Sequence, residues 1–174
     1  MVETLGEVDI RPAEVPDAPE ISRVHTASWK EAYAGIVSAD YLASLDPKNR
    51  ESMWTEHLRN GPRDGVRTWV AWTGPGALGF ASIGPSRDED AARNEQEIYS
   101  MYLDPGMWGQ GVARDLLRTV LGEVRPPAPV SLWVLADSER GRHFYRRHGF
   151  SPDGTERLRE VGDQELLEVR YRRP

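Results

Sequence analysis

Between Glu97 and His148 the chain alternates twice between strand and helix patterning, and this alternation constrains the fold more than any other feature. Glu97 to Leu103 reads as a strand, ended by Asp104-Pro105-Gly106. After it Ala113, Leu116, Leu117, Val120, Leu121 and Val124 hold one apolar stripe, the longest helix expected in the chain, and Pro126-Pro127 terminates it. Val130 to Leu135 is almost unbroken apolar sequence, the pattern of a strand buried on both faces in the middle of a sheet. Ser138 is placed to cap a helix running to about His148, with Gly149 as its left-handed stop. A strand, a helix and a second strand in this order require a right-handed crossover and neighbouring parallel strands.

The flanks add antiparallel pieces. Arg67 to Trp72 and Ala77 to Gly84 surround Thr73-Gly74-Pro75-Gly76, a turn composition that predicts a hairpin. Strand-like segments also lie at Val8 to Arg11, ended by Pro12, and at Gly154 to Leu158 and Leu166 to Tyr171. Ile21, Val24, His25, Ser28, Trp29, Ala32 and Tyr33 recur at helical spacing behind Asp17, a cap or first-turn acid. A second helix is expected from Ser38 to Leu45, and a third carries Arg50, Met53, Trp54, His57 and Leu58 before Gly61-Pro62 stops it. The expectation is an α/β fold (an α+β mixed sheet) of about seven strands with helices on both faces. At 174 residues it forms one domain, with helices over 1–62 and the sheet over 66–174.

Composition narrows the chemistry. With no cysteine, disulfides, thiolate metal sites and a cysteine acyl-enzyme are excluded. The four histidines, His25, His57, His143 and His148, lack metal-ligand spacing and read as structural or surface residues, so no metal is expected. No apolar run approaches the roughly 18 residues that span a bilayer, and MVETLGEVDI lacks a basic then apolar leader pattern, so a soluble, cytoplasmic chain is expected. The formal charge of −6 argues against a nucleic-acid partner. Arg140, Arg142, Arg146 and Arg147 cluster on the last helix, where they could meet an anion or form a solvated face.

Trp108-Gly109-Gln110-Gly111-Val112-Ala113 joins a strand to a helix start, where unpaired N–H groups and the helix dipole favour an anion. Glycine also serves such turns for steric reasons alone. The dinucleotide fingerprint would need glycine where Arg114 stands, and the Gly-Lys-Ser/Thr ending of a P-loop is absent.

This segment resembles the GNAT superfamily of acyl-CoA-dependent N-acyltransferases, whose signature is a strand followed by Gln/Arg-x-x-Gly-x-Gly/Ala opening a helix. Ile98-Tyr99-Ser100-Met101-Tyr102-Leu103-Asp104-Pro105 resembles the family strand before it, and Phe144-Tyr145-Arg146-Arg147-His148-Gly149-Phe150 the family's C-terminal motif. Ser28-Trp29-Lys30-Glu31-Ala32-Tyr33-Ala34-Gly35 is similar to a form common in small bacterial members. The chain departs from the pattern at Trp108, where Gln or Arg is usual, and at Ser138, where many members carry Asn. These departures touch cofactor affinity more than reaction type.

The resemblance implies acetyl-CoA as co-substrate, bound by Met101, Tyr102, Leu103, Trp108, Gly109, Gln110, Gly111, Val112, Ala113, Arg114 and Ser138. It implies a strand ending near Leu103 that splays from Val130, exposing main chain at Met101 and Leu103 on which pantetheine pairs like an added strand. Tyr145 is the implied general acid, since a phenol of pKa ~10 stays protonated and can donate to a thiolate whose conjugate acid has pKa ~8.5. From spacing alone Tyr145 reads as well as a packing residue beside Phe144. Glu97 is a candidate base acting through water on an amine of pKa ~10 that arrives charged, with a solvated acidic loop as the competing explanation. Trp29 and Tyr33, one helical turn apart, could wall an acceptor pocket, with core packing an ordinary role for either.

The function implied is acetyl transfer to a primary amine of a small molecule by direct attack in a ternary complex. A protein N-terminus or lysine is a second acceptor class, and a non-catalytic acyl-CoA-binding module a third reading. A homodimer is one assembly that the resemblance implies.

Overall fold

The computed structural model describes residues 6–174; Met1 to Leu5, the start of the segment read for a leader, lie outside the described residues. Seven strands form one mixed sheet in the order β1-β2-β3-β4-β5-β7-β6. They are β1 (Asp9–Pro12), β2 (Arg67–Thr73), β3 (Gly76–Pro85), β4 (Gln96–Leu103), β5 (Val130–Leu135), β6 (Ser151–Val161) and β7 (Gln164–Arg173). β4 and β5 run parallel, joined by helix α4 (Val112–Gly122), while the remaining neighbours are antiparallel. The apolar run from Val130 lies between β4 and β7, which pair both of its edges, and successive residues along it are buried, so both of its faces are covered.

Helices cover both faces, as expected. On one, α1 (Ala18–Ala32) and α3 (Pro47–Asn60) bury Ile21, Val24 and Trp54 against Val70, Ala77 and Phe80. On the other, the α4 stripe of Leu116, Leu117 and Val120 packs on Leu103, Ala81, Ile83, Ile98 and Leu132. The short α2 (Ala39–Ser44) is capped by Ser38, whose Oγ accepts from the Tyr41 N–H, and α5 (Glu139–Arg147) lies against β5.

Three expectations about extent are corrected. α4 is not the longest helix: it has 11 residues against 15 in α1, and Val124 lies beyond it in a tightened turn where its N–H donates to Leu121 O. The lost residues follow from Gly122, which weakens the helix before Pro126-Pro127 stops it. β1 takes in Pro12 instead of ending before it, which an edge strand tolerates. β6 and β7 run to 11 and 10 residues, joined by the two-residue turn Gly162-Asp163 with Gly162 at φ 60°. Glu156, Arg157, Arg159 and Glu160 mask β6 in the sequence, because an edge strand presents charge along most of its length.

Candidate active site

β4 and β5 pair over three positions, Gln96↔Val130, Glu97↔Ser131 and Ile98↔Leu132, and then separate. Tyr99 falls at a bulge, and from Ser100 to Leu103 β4 is paired with β3 alone, so its backbone groups on the β5 side have no strand partner. The gap is continuous with a cleft of about 1180 Å³ lined by Met101, Tyr102, Leu103, Trp108, Gly109, Gly111 and residues of α1, α5 and β6. An unpaired strand edge inside a cleft can receive an extended amide-bearing ligand.

Three tyrosines converge on this gap from opposite faces of the sheet. Tyr145 enters from α5, packed edge-on to Phe144 (ring centroids 5.2 Å apart) and Phe150 (5.7 Å) in the cluster beneath α4. Tyr33 and Tyr102 enter from the α1 face, their hydroxyls 3.3 Å apart. Burial, with Tyr102 adding to it, pushes the Tyr145 phenol well above its ordinary value of 10.0. Tyr33 is raised for the same first reason, reinforced by Tyr102. Tyr145 and Tyr33 therefore stay protonated at neutral pH.

Below the cleft the turn before α4 is left-handed twice, at Gly109 (φ 78°) and at Gly111 (φ 85°), the N-cap of α4. The first intrahelical bond is Asp115 N–H to Gly111 O, so the N–H groups of Val112, Ala113 and Arg114 have no partner within the helix. Arg140 of α5 lies over the Trp108 ring, its guanidinium carbon 3.8 Å from the centroid, and both line the cleft with Arg114 and Arg147. An electropositive, backbone-lined concavity of this form suits a phosphate ester.

The other sequence-derived residues divide. Ser138 reaches the cleft from the N-cap of α5, although its side chain caps nothing. Gln110 turns back, its Nε2 donating to Gly106 O at 3.2 Å, and the Val112 side chain is buried under Leu116, leaving only its backbone to the turn. Tyr33 lines the cleft, whereas Trp29 stands behind it, buried, with ring centroids 4.7 Å apart at 90°. Glu97 is at the closed end of the gap, 2% exposed. Arg87 engages both of its oxygens, Nη2 donating to Oε2 at 2.7 Å and the backbone N–H to Oε1 at 3.0 Å. The acidic loop is not merely solvated: Asp90 and Asp88 bind Arg170, and Glu95 binds Arg172, which ties the loop to β7. Sequence reading misses Arg87, places Arg140 in an arginine cluster without its partner Trp108, and treats His25 as structural or surface without its contact to Tyr102, since each acts through a partner distant in the chain.

His25 stacks on Tyr102 (5.1 Å, 24°) and accepts from the Trp54 indole N–H on Nδ1 at 3.2 Å. Burial pushes its pKa down to about 3, with Arg50 and then Arg159 adding. The unfolded chain protonates this group near pH 6.5, so its stabilisation is complete above pH 6.5 and is lost progressively as pH falls toward 3. Between pH 7.5 and 4.5 the wild type is expected to lose about 2–3 kcal/mol more unfolding free energy than His25→Gln. Urea titrations at the two pH values read this directly, and parallel losses in both proteins would remove His25 as the cause.

The geometry is shared with known proteins. The model of the acetyltransferase (GNAT) family matches residues 26–150. The uncharacterized N-acetyltransferase YuaI of Bacillus subtilis is 32% identical over 83% of this chain and 68% of its own, and a spermidine N(1)-acetyltransferase of Thermoplasma acidophilum is 23% identical over 94% and 98%. Among solved structures, PaiA N-acetyltransferase from Thermoplasma acidophilum in complex with coenzyme A superposes with a TM-score of 0.75 at 20% identity, covering 97% of this chain and 99% of that one. Ribosomal-protein-alanine N-acetyltransferase from Brucella melitensis gives 0.72 at 24% identity, covering 95% and 98%. With the splayed strand, the glycine turn and the α5 tyrosine in family order, the chain belongs to the GNAT family and is an acetyl-CoA-dependent N-acetyltransferase.

Proposed function

We propose that the chain, as one domain, moves the acetyl group of acetyl-CoA to a primary amine of a small molecule by direct transfer in a ternary complex. The observation that carries this reading is the meeting of Tyr145 with the Tyr33–Tyr102 pair at the gap where β4 leaves β5. Backbone groups of Met101 and Leu103 hold the pantetheine amides, and an N–H near Leu103 polarises the thioester carbonyl. The amine nitrogen bonds to the carbonyl carbon, the C–S bond breaks, and Tyr145 protonates the departing thiolate. Glu97 accepts one proton of the charged amine through water before attack, using the Oε2 lone pair that Arg87 leaves open. The second N–H proton, released as the C–S bond breaks, restores the Tyr145 phenol. The name of the spermidine-acetylating relative supports a small amine as acceptor. Thiol release from acetyl-CoA across amines, polyamines, amino acids and aminoglycosides tests the proposal, and no release with any of them would refute it.

Trp108 offers a single indole N–H where Gln or Arg would bring an amide or guanidinium head, and the Arg140 stacked on its ring supplies a guanidinium from α5 instead. Arg140→Ala is expected to raise the KM for acetyl-CoA roughly tenfold, the scale of one charge-assisted hydrogen bond, with kcat little changed. The difference from wild type should shrink in high salt. An unchanged KM at low salt would remove Arg140 from the phosphate site.

A further inference from the structure

We propose that the amine taken by this site also carries a carboxylate, which Arg50 of α3 and Arg159 of β6 hold beside Trp29. The inference rests on the acetyl-transfer reading and names its acceptor class. Both guanidinium groups lie on one indole, their central carbons 5.5 Å (Arg50) and 5.4 Å (Arg159) from the Trp29 ring centroid. Four arginines of β7, β6 and the loop before β4 have a close carboxylate: Arg87 on Glu97 at 2.7 Å, Arg157 on Glu168 at 2.9 Å, Arg170 on Asp90 at 2.6 Å and Arg172 on Glu95 at 3.0 Å. Among the described residues Arg50 has none, although it is half-buried, and Arg159 has only a 3.6 Å approach to Glu168, whose other oxygen serves Arg157.

The remaining neighbours do not satisfy Arg50. Its Nη1 lies 2.9 Å from His25 Nε2, while the Trp54 indole N–H points at Nδ1 of the same ring. A neutral imidazole offers one lone pair, so the two cannot both donate to it. Among the described residues the Trp29 indole N–H likewise has no acceptor, although it is buried. Glu160 does not fill the vacancy: it pairs with Glu165 on the strand ladder, whereas Arg159 pairs with Leu166, which packs on the Trp29 cluster, and strand alternation sends the two side chains to opposite faces. Donors without acceptors have thus accumulated at one place. A guanidinium pair matches a carboxylate in charge and in planar geometry, whereas a polyamine would bring further positive charge to it. The position is also apt, because Trp29 meets Tyr33 edge-on and the Tyr33 hydroxyl reaches Tyr102 at the gap. An amino acid can place its carboxylate on the arginines and its amine toward the thioester.

The test compares kcat/KM for matched acceptors: 4-aminobutyrate with butylamine, leucine with isoamylamine, and O-phosphoethanolamine with ethanolamine. The carboxylate member of the first two pairs is expected to lead by about tenfold or more, and Arg50→Met and Arg159→Met to erase most of that lead, with Arg50→Lys keeping part of it. Both members of a pair are measured on one preparation, so a partly unfolded variant leaves the ratio readable. Ratios near one, a lead for butylamine or spermidine, or a lead confined to the phosphate pair would overturn the carboxylate site while acetyl transfer stands. If no amine releases thiol, acetyl transfer to small amines fails, and the site is judged by binding alone. Millimolar glutarate is then expected to raise the melting temperature of the wild type and not of the Arg50→Met/Arg159→Met protein, and equal responses would overturn the proposal.

Discussion

Tyr145→Phe is expected to lower kcat by roughly 10²–10⁴ while leaving coenzyme A affinity within about twofold of wild type. The ring itself is anchored by Phe144 and Phe150, contacts that phenylalanine reproduces, so the fold should register little change. The hydroxyl is not drawn into the Tyr33–Tyr102 hydrogen bond, which leaves it available to a ligand. Burial raises the phenol, so wild-type activity should show no loss from Tyr145 ionisation up to about pH 9. Thiol release against pH, with calorimetric titration of coenzyme A, measures both quantities. Equal rates for the two proteins would assign Tyr145 to packing, the role its spacing alone allowed.

That ambiguity shows where the sequence stops being informative. The nearly unbroken apolar run at Val130 needed little tertiary context, because six residues rich in Val, Leu and Trp between turn signals suit a strand buried on both faces, and β5 is buried along most of its length. The glycine turn and the crossover were legible for the same local reason. β6 was legible only over Gly154 to Leu158, since its charged residues obey the demands of an edge and of partners on β7, not those of a core. The pairing of Glu97 with Arg87 spans a loop, and the approach of Arg50 to Trp29 crosses between helices, so neither leaves a periodic trace. The gap itself depends on the point where β4 stops pairing with β5, which the family resemblance anticipated and strand patterning did not.

Phe80→Ala should produce the largest loss of stability, because its ring is fully buried at the meeting of β3, α1 and α3. It stands edge-on to Trp54 at 4.9 Å and His25 at 5.7 Å, and lies 5.9 Å from Tyr102. Deleting it removes those contacts and leaves a dry apolar cavity, at about 3–5 kcal/mol. For a chain of this length that corresponds to a fall in melting temperature of roughly 6–20 °C. The consequence extends to the cleft, since Tyr102 lines it, His25 stacks on Tyr102, and both lean on this ring. Leu117→Ala provides the contrast. Leu117 is equally buried but lies on α4, on the opposite face, behind the glycine turn that suits a phosphate ester. Its loss should cost about 2–5 kcal/mol and raise the KM for acetyl-CoA more than that for the acceptor, whereas Phe80→Ala should do the reverse. Scanning calorimetry with two-substrate kinetics, run well below both melting temperatures, separates the cases. Identical shifts in the two KM values for both variants would mean that the two faces of the sheet do not serve the two substrates separately.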